Sequence, residues 1–222
     1  MPAELPVDML NASLKEIVVR RKNHQLFKKL AQQTHLNYRE VEALALIHDK
    51  IVRVMGPVQR LVFRDVLHSG FDHTENIRHL LVDRIFAAMD KQNILQIFMD
   101  QWNEGMSIIL RGTLNERINF GYRVYDLMKN NRIRKEQIFP IMRGCLIKQQ
   151  PDEDPDEGVK DLIELMLKKL DVDRDGKVSF EDYSTAVKDR NALFLECIGP
   201  IFPSRDARNA FLTSFTDRTG RF

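Results

Sequence analysis

The 222 residues are 43% hydrophobic and 30% charged, a balance that supports one large folded domain or two small ones and excludes wholesale disorder. The longest apolar runs, such as Leu61–Phe63 and Ser107–Leu110, are far too short to cross a bilayer. The formal net charge of +2 hides two opposed segments: Arg111–Lys148 carries nine Lys/Arg against three Asp/Glu, and Gln150–Thr185 five against twelve.

The opening "MPAELPVDML" has neither a basic segment nor an apolar core of signal-peptide type, which argues against secretion. Its second residue is Pro2, where an N-myristoyl signal requires glycine. Residues 1–34 are expected to form a helical extension. Asn37 and Glu40 then have the spacing of a capping box, ahead of Val41, Leu44, Ile47 and Ile51 at helical intervals. Thr74 is placed to cap a helix carrying Ile77, Leu80, Leu81, Ile85 and Phe86. Thr113 and Glu116 cap a third, and a fourth carries Leu162, Leu165, Met166 and Leu170.

Each of the last three helices runs into a stretch of similar outline that begins with Asp: Asp90, Asp126 and Asp171. The first two are 36 residues apart and the last two 45, the excess lying in the acidic linker "KQQPDEDPDEG". Helix, twelve-residue loop and helix, repeated, is the EF-hand plan, with oxygen ligands at loop positions 1, 3, 5, 7, 9 and 12 and Gly at 6.

Only "DVDRDGKVSFED" fills the plan. Asp171, Asp173 and Asp175 take positions 1, 3 and 5, and Gly176 supplies the turn. Lys177 serves at 7 through its carbonyl, Ser179 stands at 9 and Asp182 at 12. Asp182 is one methylene shorter than the usual Glu, which should weaken calcium binding and make magnesium a competitor. In the loop from Asp90, positions 3, 5, 6, 9 and 12 hold Gln92, Ile94, Leu95, Phe98 and Gln101. In the loop from Asp126, positions 3, 6, 9 and 12 hold Met128, Asn131, Arg134 and Gln137. Neither offers the carboxylates that replace a cation's hydration shell, and Arg132, Arg134 and Lys135 would repel one.

Position 8, where two loops of a pair hydrogen-bond, stays β-branched throughout as Ile97, Ile133 and Val178. "GPVQRLVFRDVLHSGF" then reads as a first, shortened hand with Val58 in the pairing role and an exit helix from Phe63. The expected fold is all-α: two pairs of EF-hands, residues 35–110 and 111–190, with an extra N-terminal helix and a C-terminal helix and tail over 191–222.

The segment "DEDPDEGVKDLIELMLKKLDVDRDGKVSFEDY" closely resembles calaxins, EF-hand proteins of the ciliary and flagellar axoneme. Weaker similarity in "FRDVLHSGF", "DRIFAAMDK", "IILRGTLNERI" and "AVKDRNALFLECIGPIFP" extends it over most of residues 35–203. The resemblance implies a fold like that of neuronal calcium sensors. It also implies a place in the cytoplasm and axoneme, and association with outer dynein arms or the coiled coils of their docking complex. Calaxins usually have usable calcium loops in hands two, three and four, so a chain that keeps only the fourth looks like a divergent paralogue. That pattern suits a structural adaptor with one residual calcium site; the alternative is a soluble calcium sensor that grips an amphipathic helix of a target protein.

Other constellations are weaker. His68, His73 and His79 lack zinc-site spacing. Cys145 and Cys197 have no metal, redox or catalytic setting, and no phosphate-binding glycine loop is present, so no enzyme is expected. The basic residues around Arg132, Arg134 and Lys135 lack a nucleic-acid motif and fit an acidic protein surface such as tubulin better. Met89, Met106, Met128, Met142 and Met166 stand near loop borders, as core packing or as the lining of a partner groove.

Overall fold

A computed structural model describes residues 13–71, 79–126, 128–143 and 155–219. Its helices are α1 (Ser13–Gln33), α2 (Tyr38–Met55), α3 (Arg60–Phe71), α4 (His79–Met89), α5 (Met99–Arg111) and α6 (Leu114–Tyr125). They continue with α7 (Lys135–Met142), α8 (Pro155–Leu170), α9 (Phe180–Thr185) and α10 (Arg205–Thr213). Between α9 and α10 the chain passes through a π-helical turn, Ala186–Arg190, and a 3₁₀ turn, Ala192–Glu196. The fold is all-α, with EF-hands α2–α3, α4–α5, α6–α7 and α8–α9. Among the described residues no helix is long and apolar enough to cross a membrane.

The helix starts follow their caps. Asn37 Oδ1 accepts from Glu40 N at 2.9 Å, and Asn37 N donates to Glu40 Oε2 at 2.8 Å. Thr113 N donates to Glu116 Oε2 at 2.7 Å in the same reciprocal arrangement. Each such box satisfies two backbone donors that a helix start leaves unpaired. Thr74 and Ile77 lie outside the described residues.

Two sequence expectations shift. The exit helix of the first hand starts at Arg60, three residues before Phe63, because Phe63 N already donates to Gln59 O at 2.8 Å. With Val58 at position 8, Gln59 is the position just before the helix, as in the other hands. In α8 the buried residues are Val159, Ile163 and Leu170, whereas Leu165 is 56% exposed. Leu165 follows Ile163 by two residues, a turn of about 200° that carries it to the opposite face.

One hydrophobic cluster runs through both pairs, from Phe27, Leu44 and Phe63 through Phe86, Trp102 and Tyr125 to Ile163, Tyr183 and Phe202. Within it Val58, Ile97, Ile133 and Val178 are all fully buried. Ile133 and Val178 form an antiparallel bridge with N–H···O distances of 3.0 and 3.3 Å, and Ile97 N donates to Val58 O at 2.9 Å. The pairing positions therefore join hand one to hand two and hand three to hand four. α1 lies on the first pair, with Phe27 and Leu30 buried and Arg20–Glu42 and Lys50–Glu16 paired at 3.0 and 2.9 Å.

The C-terminal segment closes over the same pair. Phe211 of α10 stacks on Phe71 of α3 with ring centroids 4.4 Å apart. Thr216 Oγ1 and Arg218 Nη1 donate to Glu40, whose buried carboxylate also accepts from Arg111 Nη1 at 2.8 Å. In the second pair Tyr125 and Tyr183 donate to the carbonyls of Gly199 and Leu195 at 2.7 and 2.6 Å, locking the 3₁₀ turn onto α6 and α9. Gly121 permits this approach, since a Cβ there would sit 2.8 Å from the Tyr183 hydroxyl.

Candidate metal centre

The loop of the fourth hand hangs between the buried side chains of Leu170 and Val178. Asp171 Oδ1 and Oδ2 accept from the backbone N–H groups of Asp175 and Gly176 at 3.2 and 3.0 Å. These bonds curl the loop, and Arg174 and Gly176 complete the curl with φ of 63° and 83°. Gly176 meets that left-handed conformation without a Cβ penalty. Asp173 and Asp175 accept from the N–H groups of Asp175 and Lys177 at 3.1 and 2.9 Å. The curl gathers one carboxylate oxygen each from Asp171, Asp173 and Asp175 within 4.8 Å of one another. Among the described residues this is the grouping of three or more His, Cys, Asp or Glu able to hold a metal ion.

Its electrostatics call for a cation. The Asp175 N–H pulls the Asp173 carboxyl down, but desolvation and the charges of Asp182 and Asp175, with the Asp171 contact, outweigh it and leave Asp173 above its ordinary value. The nearest ammonium, Lys177 Nζ, stands 3.9 Å from Asp175 Oδ2. A hard divalent ion accepts such an oxygen cluster, supplemented by the carbonyl at position 7.

Asp182 is arranged differently. It is 5% exposed. Its Oδ2 accepts from Ser179 N and Ser179 Oγ at 3.0 and 2.6 Å, and its Oδ1 from the N–H groups of Val172 and Asp173 at 3.2 and 3.4 Å. Burial pushes its carboxyl up, yet these bonds overrule burial and hold it below the ordinary range. Asp182 thus caps α9 and clasps the start of the loop, apart from the three-carboxylate group. Ligation at position 12 would have to compete with this clasp, as would ligation by the Ser179 hydroxyl.

The two degenerate loops have the same backbone. Asp90 accepts from Ile94 N and Leu95 N at 3.2 and 2.7 Å, and Asp126 from Asn130 N and Asn131 N at 3.3 and 2.8 Å. Gln101 Oε1 accepts from Phe98 N at 3.0 Å and Gln137 Oε1 from Arg134 N at 2.9 Å, the bond Asp182 makes to Ser179 N. Positive φ recurs at positions 4 and 6: Asn93 and Leu95 at 55° and 62°, Lys129 and Asn131 at 51° and 56°. The first and last loop residues thus brace the curl in the same way in all three loops. Sequence reasoning counted Asp90, Gln101, Asp126 and Gln137 only as remnants of lost ligand sets. Retention of Asp at position 1 and Gln at position 12 in both loops was the available signal.

Of the three basic residues singled out in hand three, Arg132 and Arg134 are exposed, while Lys135 is paired with Glu164 of α8 and helps join the third hand to the fourth. Met89, Met106 and Met142 are buried in the core, and Met128 is 67% exposed. Burial pushes the Cys197 thiol up to about 12, far from a reactive thiolate. Cys145 and His73 lie outside the described residues, as does the side chain of His79. Beside α8, Leu165, Met166 and Phe194 line an open apolar groove with Lys169 and Arg190 at its edge.

Comparison with known proteins agrees with this architecture. The description of an EF-hand domain pair matches residues 115–188, the third and fourth hands. Calaxin of Xenopus laevis is 39% identical over 183 residues, covering 80% of this chain and 86% of the relative. Calaxin of Homo sapiens is 39% identical over 183 residues, covering 80% and 85%. Calaxin of Bos taurus is 42% identical over 154 residues, covering 69% and 71%. With relatives of that identity along most of its length, and with four paired hands of which one keeps a calcium loop, the chain belongs to the calaxin family of calcium-binding EF-hand proteins.

Proposed function

We propose that this chain is an EF-hand adaptor of the ciliary or flagellar axoneme, attached to outer dynein arms or to the coiled coils of their docking complex, with calcium bound only at Asp171, Asp173, Asp175, Lys177, Ser179 and Asp182. The observation that carries the adaptor reading is that, among the described residues, carboxylates gather into a group able to hold a cation only in the fourth loop. The second and third loops each keep an Asp at position 1, bound to loop amides as Asp171 is, but have Gln at position 12 and no carboxylate at positions 3 and 5. A ligand shifts a conformational equilibrium only by its differential affinity for the two states, and one loop with a short position-12 carboxylate supplies little of it. Kinship with calaxins supports the axonemal setting.

The groove of Leu165, Met166 and Phe194 favours a second reading, a calcium sensor that takes an amphipathic helix. Chelator dependence separates the two. Calorimetry should detect a single calcium site with an affinity of roughly 10⁻⁶ to 10⁻⁴ M. In a pull-down from flagellar extract, the adaptor keeps its partner in calcium and in chelator alike. Release by more than about tenfold on calcium removal, a coupling of about 1.4 kcal/mol, returns the protein to the sensor class.

A further inference from the structure

α1 uses one side for packing and leaves the other bare. At about 100° per residue, Glu16, Val19, Asn23, Phe27 and Leu30 share the side that lies on α2 and α5. The opposite side carries Lys15, Arg21, Lys22, Lys28 and Lys29, all exposed, and none of them pairs with an acid among the described residues. The acids nearby are already engaged. Glu16, the one acid of α1, faces inward and pairs with Lys50 at 2.9 Å. Those of α2 pair with arginines: Glu40 with Arg111, Glu42 with Arg20 and Asp49 with Arg53. On α5, Glu104 pairs with Lys91, and Asp100 lies by the buried His48. The charge of the outer face is therefore one-sided. Lys15, Lys22 and Lys29 recur every seven residues, as do Leu14, Arg21 and Lys28, so the cations form two adjacent rows of about 21 Å. At the helix start the face turns apolar, with Leu14, Ile17 and Val18 79%, 40% and 62% exposed. Val54 and Met55, one turn past Lys50 at the end of α2, are exposed as well.

We propose that the outer face of α1 docks an acidic amphipathic helix of a partner protein, lying along α1. Carboxylates of that helix meet the two basic rows, and its apolar residues cover Leu14, Ile17 and Val18. A seven-residue repeat keeps side chains in register along a facing helix, so a rod-shaped anion of the same period complements this face. An anionic bilayer would call for an apolar side to insert along the whole helix, and α1 has committed that side, with Phe27 and Leu30 buried, to the protein's own core. A nucleic-acid strand would call for aromatic platforms on which bases stack. The one ring on this face is that of His24, and its Nδ1 lies 2.8 Å from the Tyr38 hydroxyl. The inference deepens the adaptor reading by naming a face for the partner, and it rests on that reading for the partner's place in the cell.

The test uses the purified full chain and a fluorescein-labelled peptide that repeats the heptad Leu-Glu-Ala-Leu-Glu-Ala-Glu. Binding is read by anisotropy in chelator, so that it can fail while axonemal localisation stands, and the reverse. It should weaken with salt, as exposed charge contacts do. Lys22→Glu with Lys29→Glu should weaken it by about tenfold or more, while Lys160→Glu with Lys168→Glu on exposed positions of α8, an equal change in net charge, should weaken it by less than about twofold. Leu14→Ser with Val18→Ser leaves the charge unchanged and should weaken binding by about threefold or more. If the Glu variants of α1 melt early, Lys22→Gln with Lys29→Gln carries the same expectation at a smaller fold. The proposal is overturned if the two charge-reversed pairs weaken binding equally, if the Leu14 and Val18 changes leave it intact, or if a peptide with Gln in place of every Glu binds as well. It is overturned too if phosphatidylserine vesicles or an oligonucleotide bind more tightly than the peptide and lose that binding in the Lys22 and Lys29 variant.

Discussion

Glu40→Ala tests how the C-terminal segment is fastened to the first hand. The Glu40 carboxylate is 1% exposed and accepts from Asn37 N, Arg111 Nη1 and Thr216 Oγ1, each at 2.8 Å, and from Arg218 Nη1 at 3.2 Å. Removing half of a buried ion pair costs about 3–5 kcal/mol. Arg111 keeps its bond to the Arg218 carbonyl, which places the loss at the low end, about 3 kcal/mol. The broken capping box adds about 1 kcal/mol. A total near 4 kcal/mol lowers the melting midpoint of a chain this size by about 8–16 °C. Glu40→Gln keeps an acceptor and the cap but removes the charge, and is expected to cost roughly half as much.

The acid limb gives a second readout. Burial pushes the Glu40 carboxyl up, but hydrogen bonds from Arg111, Asn37 and Thr216 overrule it and hold the group below its ordinary 4.5. Because the folded value is depressed, the stabilisation is complete above about 4.5 and is lost as pH falls through the folded value. Glu40→Gln should flatten that part of the profile. Urea unfolding at neutral and acid pH measures both effects, and limited trypsin digestion reports release of the tail. A loss below about 1 kcal/mol for Glu40→Ala, with tail cleavage unchanged, would refute the reasoning.

Asp90→Ala and Asp126→Ala each strip two loop amides of their acceptor and should cost about 1–3 kcal/mol by thermal melting, while the calorimetric calcium site persists; Asp171→Ala should abolish that site. Unchanged melting in both would mean that these two aspartates do not brace their loops. Asp182→Glu should raise calcium affinity and reduce magnesium competition, because the longer carboxylate can reach the ion from position 12; no change in either would mean that position 12 is not limiting. His48 Nε2 donates to Ile97 O at 3.0 Å, and burial holds its pKa below 6.5 against that bond and the charges of Asp49 and Asp100. Its contribution is therefore complete above about 6.5 and lost as pH falls through the lower folded value, so His48→Gln should flatten the stability profile below about pH 6.5. A titration with wild-type slope in that variant would place the acid sensitivity elsewhere.

Much of the architecture was legible in local pattern. Capping boxes at Asn37 and Thr113 act within one turn of helix, and position 8 of each loop is named by its distance from the leading Asp. So the sequence alone determined four hands, their pairing through Val58–Ile97 and Ile133–Val178, and the single carboxylate-rich loop at Asp171. Tertiary structure decided what depends on groups brought together from afar. Asp182 is legible as a ligand by spacing, but only the fold shows its carboxylate clasping Val172 and Asp173. Lys135 reads as a free basic residue until Glu164, 29 positions away, is placed beside it. Glu40 reads as a helix cap, and its union with Arg111, Thr216 and Arg218 appears only when the chain's end returns to its start. No single stretch encodes such unions, because buried charge and packing are sums over neighbours in space, whereas helix caps and loop curls are settled between neighbours in the chain.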